Sequence, residues 1–125
     1  MSYMFNYCSV LKTLDLTSFN TPNLTSMERM FQSCRALTSI NFGENFTTGR
    51  VTEMRYLFIY ANRNNTFRNP LNIDLTGFEF NCNVSTIFET TGLINAKVTE
   101  AGYNSLKKAK TDYITFVKED GTPWE

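Results

Sequence analysis

The chain has 125 residues, 42% hydrophobic and 14% aromatic, with 12 Lys and Arg against 12 Asp and Glu and no His. That length suits one domain with its own core. The zero net charge argues against a nucleic-acid-binding domain, which needs a basic footprint, and provides no basic patch for an anionic membrane. No apolar run approaches the roughly 18 residues of a membrane span, so no membrane insertion is expected. No basic segment followed by an apolar stretch opens the chain, so no signal peptide is visible.

The chain repeats itself from its first residues. Met4, Phe5, Cys8, Leu11, Leu14 and Leu16 recur as Met30, Phe31, Cys34, Leu37, Ile40 and Phe42. The offset of about 26 residues lies in the range of stacked solenoid coils. Met1 falls on Met27, so the chain is expected to begin partway through a repeat, with an unfinished N-terminal edge.

The first half of each repeat reads as a strand. Leu11, Leu14, Leu16 and Phe19 recur as Leu37, Ile40, Phe42 and Phe46, then as Pro70, Ile73, Leu75 and Phe78. The alternation through Leu14-Asp15-Leu16 has the period of two that a strand requires. Stacked strands of this kind form a parallel sheet. Its outward row is expected to be Thr13, Asp15 and Thr17, then Ser39, Asn41 and Gly43, then Asn72, Asp74 and Thr76.

The second half has helical spacing. Met27, Met30, Phe31 and Cys34 follow the i, i+3, i+4, i+7 pattern of one apolar stripe. Thr25 and Glu28 resemble a capping box ahead of it. Later copies are Thr52, Met54, Leu57, Phe58 and Ala61, then Val84, Ile87, Phe88 and Thr91. The spacing predicts a short helix in each repeat, and the Met and Phe stripe is core rather than a cofactor site.

Between the second and third strands, the polar run from Asn62 to Asn69 is an insertion expected to loop out as a solvated segment. Leu93, Ala96 and Val98 supply one more strand. Thr99 then caps a helix carrying Tyr103, Leu106 and Ala109. Tyr113 to Val117 alternates as a last strand, and Asp120-Gly121 is a turn. The predicted organisation is one domain: a solenoid over 1–98 and a capping helix and strand over 99–125. The fold class is α/β, with about four strand–turn–helix coils, a parallel sheet and an atypical C-terminal cap.

Chemistry is sparse. Cys8 and Cys34 occupy one slot in successive repeats and read as buried thiols. Cys82 stands apart, no Cys pair has zinc-ligand spacing, and there is no His. Asp15 and Asp74 share a strand column with Asn41 between them. That column has oxygen ligands of the kind calcium takes, but a solvated polar ladder is the favoured reading. The carboxylates would lie on an open sheet, not in a cleft. The expectation is no enzyme, no cofactor and no metal.

The run MFNYCSVLKTLDLTSFNTPNLTSMERMFQSC resembles the BspA-type leucine-rich-repeat surface proteins of bacteria. The matching positions are Met4-Phe5, Cys8, Leu11, Leu14-Asp15-Leu16, Phe19, Thr21, Leu24-Thr25 and Met27. Asn41-Phe42-Gly43 departs from the Asp-Leu-Ser of that family. The resemblance implies a leucine-rich-repeat solenoid, a surface or secreted location, and binding of proteins or of host and community surfaces. It carries no catalytic set, and related repeats occur in phage and mobile-element proteins.

The expected function is therefore presentation of a surface. The candidate face is Thr13, Asp15, Thr17, Ser39, Asn41, Asn72, Asp74 and Thr76, a rigid polar row with rungs about 5 Å apart that suits a protein or glycan. The alternative is an assembly component that docks or self-associates end to end through its N-terminal edge.

Overall fold

The computed structural model of the chain describes residues 1–65 and 68–124. Five strands, β1 (Thr13–Leu16), β2 (Ser39–Phe42), β3 (Leu71–Asp74), β4 (Ile94–Lys97) and β5 (Ile114–Val117), form one parallel sheet. Their order in the sheet is their order in the chain. One short α-helix, α1 (Glu100–Leu106), separates β4 from β5. The architecture is mixed α/β.

The strands lie where the alternation predicts. Leu16, Ile40, Leu71, Ile73, Ile94, Ala96, Ile114 and Phe116 are buried on the inner face. Thr13 pairs with Ser39 and Asp15 with Asn41, which sets the outer rows. The insertion lies between β2 and β3. Asn62 anchors it: its Nδ2 donates to the Leu37 and Asn69 carbonyls at 2.7 and 2.9 Å. Thr66 and Phe67, within the expected loop, lie outside the described residues.

The helices expected in the Met and Phe segments are not there. Met27, Met30, Phe31 and Cys34 are all buried as the spacing requires, but the backbone runs through successive tight turns. Within a segment, Met30 N–H donates to Met27 O and Cys34 N–H to Phe31 O. Alternate N–H groups leave the segment instead. Tyr3, Phe5 and Tyr7 donate to Glu28, Met30 and Gln32 carbonyls at 2.8–3.0 Å. Arg29, Phe31 and Ser33 donate in the same way to Arg55, Leu57 and Ile59. The capping box fails with the helix: Glu28 takes an ion pair from Arg55 at 3.2 Å.

Spacing explains why turns win. Adjacent strands sit about 4.8 Å apart, whereas packed helices need about 8–10 Å between axes. A turn segment keeps pace with the sheet. It costs strain, because Tyr3, Tyr7, Arg29, Ser33, Tyr56, Tyr60, Asn62 and Thr90 all have φ between 53° and 63°. Each such L-residue costs roughly 1–2 kcal/mol. The N–H groups of Tyr3, Tyr7, Arg29, Ser33 and Tyr60 are among those that cross to the next segment, so the strain is offset by the ladder it makes possible.

Rings fill the space between ladder and sheet. Phe5, Phe31, Phe58 and Phe88 stack with centroids 5.8, 5.4 and 5.9 Å apart and planes within 10° of parallel. Each fully buried ring contributes about 1.5–3 kcal/mol by leaving water. The stack ends at Phe116, which meets Phe88 at 60°. Thr99 Oγ1 accepts from Gly102 N at 3.1 Å and caps α1 as expected. Trp124 stacks on Tyr103 at 4.9 Å, and Pro123 bridges to Val117 along the free side of β5.

Candidate functional site

The outer face of the sheet holds a shallow depression of about 440 Å³. Ser39 and Asn41 of β2, Asn72 and Asp74 of β3, and Asn95 and Lys97 of β4 line it. These side chains share one face because strand residues alternate and the strands are in register. Ser39 is level with Asn72, Asn72 with Asn95, and Asp74 with Lys97. Pairing of β2 with β3 is limited to Ser39↔Asn72 and Ile40↔Ile73, so Asn41 and Asp74 lie past the last paired rung.

The polar groups are partly tied to one another. Asn95 Nδ2 donates to Asn72 Oδ1 at 3.1 Å, and Asn72 Nδ2 reaches Pro70 O at 3.4 Å. This fixes the Asn72 amide and leaves Asn95 Oδ1 as an outward acceptor. Asp74 Oδ1 accepts from Thr76 N and Thr76 Oγ1 at 2.9 and 2.6 Å. That clip closes the turn after β3 and fixes the carboxylate while its second oxygen stays available. Lys97 is level with Asp74, but no ion pair within 4.0 Å joins them. The depression thus offers carboxylate, ammonium, amide and hydroxyl groups on a backbone that need not rearrange.

Four of the eight predicted face residues meet here: Ser39, Asn41, Asn72 and Asp74. Thr13, Asp15 and Thr17 lie at the β1 end of the sheet and do not line the depression. There Asp15 Oδ1 accepts from Thr17 N and Thr17 Oγ1 at 3.0 and 2.7 Å, the same clip that Asp74 makes. This clip holds the Thr17 hydroxyl in the strand-ending turn. Thr76 borders a second, smaller depression with Gly43, Glu44 and Phe78. Asn95 and Lys97 belong to the site although the sequence reading omitted them. Their signal was present: both alternate with the inward Ala96 and Val98.

The Asp15 carboxyl is held below its ordinary value by the Thr17 hydroxyl and then the Thr17 N–H. Among the described residues, no group of three or more His, Cys, Asp or Glu is placed to hold a metal. Cys34 is buried, and its Sγ lies 3.1 Å from Phe5 O. Burial, then the neighbouring Cys8, pushes its thiol up to about 12. Among the described residues no helix is long and apolar enough to cross a membrane.

A family model described as a Mycoplasma protein of unknown function, DUF285, matches residues 1–71. That match overturns the BspA-type leucine-rich-repeat resemblance, and the surface location implied by the resemblance loses its basis. No match was found among curated proteins or among solved structures.

Proposed function

The chain belongs to the DUF285 family, whose model spans residues 1–71 of the 125, and from that premise we propose a non-enzymatic interaction module built as a stack of coils. In this reading each strand and its turn segment make one coil. The parallel register, the ladder of alternate N–H groups and the parallel phenylalanine rings support it. The module acts by presenting its sheet face to a protein or glycan. The observation that carries this is the convergence of Ser39, Asn41, Asn72, Asp74, Asn95 and Lys97 on one depression. Such a set hydrogen-bonds hydroxyls, amides and carboxylates without ordering a loop, which keeps the entropic cost of binding low. It lacks exposed Trp, Tyr or Arg, so affinity per module is modest.

The test is an array of glycans and peptides probed with the chain and with the Asn72→Ala/Asn95→Ala variant. Binding that falls at least about tenfold in the variant, at unchanged fold, supports the sheet face. Equal binding by both proteins contradicts it.

A second reading, docking through the N-terminal edge, is favoured by a separate observation. Tyr3, Met4, Tyr7 and Val10, all in the first turn segment, are exposed large hydrophobic side chains, Val10 at 86%.

A further inference from the structure

Two rungs of side chains cross the outer face of the sheet, and they differ in kind. Thr13, Ser39, Asn72, Asn95 and Thr115 are level from β1 to β5, and all are uncharged. Two residues further along the strands come Asp15, Asn41, Asp74, Lys97 and Val117. Asp74 and Lys97 are paired neighbours of opposite charge. Neither is neutralised within the chain. Thr76 occupies Asp74 Oδ1 and leaves Oδ2. Lys97 makes no ion pair within 4.0 Å among the described residues. Its other neighbour on the rung is the apolar Val117. Asp15 stands two strands from Asp74, about 10 Å away, near one Debye length at moderate salt. The depression therefore carries one local pair of charges, negative on β3 and positive on β4, above a neutral amide rung.

That pair discriminates among ligands by sign. A ligand with acidic groups alone gains from Lys97 but is opposed by Asp74. A ligand with basic groups alone gains from Asp74 but is opposed by Lys97. A ligand that carries both satisfies both, and the like-charge penalty rejects the others. No aromatic side chain lines the depression, so a neutral sugar finds no ring to stack on and leaves both charges without partners. We infer that the sheet face takes a protein segment presenting a basic and an acidic side chain next to one another. The basic group lies over Asp74 and the acidic group over Lys97, while the Asn72–Asn95 rung hydrogen-bonds the amides between them. The inference rests on the sheet-face reading above and names the chemistry of its partner.

The probes are short peptides of Ala, Ser and Asn with one Lys and one Glu placed at every spacing. Matched peptides carry Gln in place of Lys, of Glu or of both. A neutral oligosaccharide and one bearing both amino and carboxylate groups complete the set. In titrations at low ionic strength, the best Lys-Glu peptide is expected to bind about twofold to fivefold more tightly than either single-charge peptide. Asp74→Asn is expected to erase the gain from Lys and keep the gain from Glu. Lys97→Gln is expected to do the reverse, and it leaves the Asp74–Thr76 clip intact if Asp74→Asn loosens that turn. Equal binding of charged and uncharged peptides, preference for peptides of one sign, or tighter binding of either oligosaccharide overturns the proposal. So does a charge preference that survives both variants. The Asn72→Ala/Asn95→Ala variant separates this from failure of the sheet-face reading. If it weakens binding while charge makes no difference, the sheet face stands and the charge assignment falls. If no probe binds, or the variant binds every probe as the unaltered chain does, both fall.

Discussion

Thr48 Oγ1 donates to Glu79 O at 2.9 Å and accepts from Glu79 N at 2.8 Å. One fully buried hydroxyl thus satisfies both backbone groups of a residue in the next repeat. Thr21 makes the matching pair of bonds to Thr47, at 3.0 and 2.9 Å. A backbone donor and acceptor left without partners in such a place cost about 1–3 kcal/mol each. Thr48→Val keeps the shape and removes the hydroxyl. It is expected to lower unfolding free energy by about 2–4 kcal/mol in urea titration. Thr48→Ser, which keeps the hydroxyl, is expected to recover most of that loss.

Gly43 and Gly77 are expected to respond in opposite ways to alanine. A Cβ on Gly43 would sit 2.6 Å from Thr17 O and 2.7 Å from Thr17 Cα, backbone atoms that cannot move aside without shifting β1. Gly43→Ala is expected to destabilise by about 1–3 kcal/mol, the usual cost of overpacking. A Cβ on Gly77 would meet nothing within 4 Å. Gly77→Ala is expected to be neutral or to stabilise by up to about 1 kcal/mol by restricting the unfolded chain. Thermal melts of the two variants check the contrast.

Acid stability is expected to depend on the Asp-x-Thr clips. Hydrogen bonds from the Thr17 hydroxyl and then its N–H hold Asp15 below its ordinary value of 3.8, and Thr122 does the same for Asp120. A carboxyl lowered in the folded state leaves the unfolded chain binding more protons as pH falls. Its stabilisation is present above the ordinary carboxylate value and is lost as pH drops through the lowered folded one. Thr17→Val is expected to raise the Asp15 titration midpoint, followed by NMR, and to flatten the acid limb of stability. An unchanged midpoint would contradict the clip.

The Cys34 thiol is expected to act at the other end of the pH range. Burial pushes it from an ordinary value of 9.0 up to about 12. The unfolded chain therefore loses this proton first, and stability declines as pH rises above about 9. Cys34→Ala is expected to reduce that alkaline decline. In the native protein Cys34 is expected to resist alkylation at pH 8 and to react when the chain is unfolded, as peptide mass mapping would show.

The sheet was legible in the sequence because period-two alternation fixes which side chains turn inward, and Leu14, Leu16, Ile40 and Ile73 left little choice. The turn segments were not. Met27, Met30, Phe31 and Cys34 have helical spacing and are buried as a helix stripe would be. Successive tight turns return side chains to one side at similar intervals. The deciding factor was the lateral distance to the neighbouring repeat, which a single repeat does not reveal. Four of the eight residues of the expected face, Ser39, Asn41, Asn72 and Asp74, line the depression because strand alternation turns them outward together. Thr13, Asp15 and Thr17 were included because a strand column has no visible end in sequence. Asn95 and Lys97 continue the outward columns of Asn72 and Asp74 in the strand that Leu93, Ala96 and Val98 mark.

The most direct test of the account is amide NMR of the labelled chain titrated with a ligand selected from the glycan and peptide array. Shift changes are expected to concentrate at Ser39–Asn41, Asn72–Asp74 and Asn95–Lys97, with the residue 53–62 turn segment unmoved. Changes centred on the turn segments, with those nine residues silent, would contradict it.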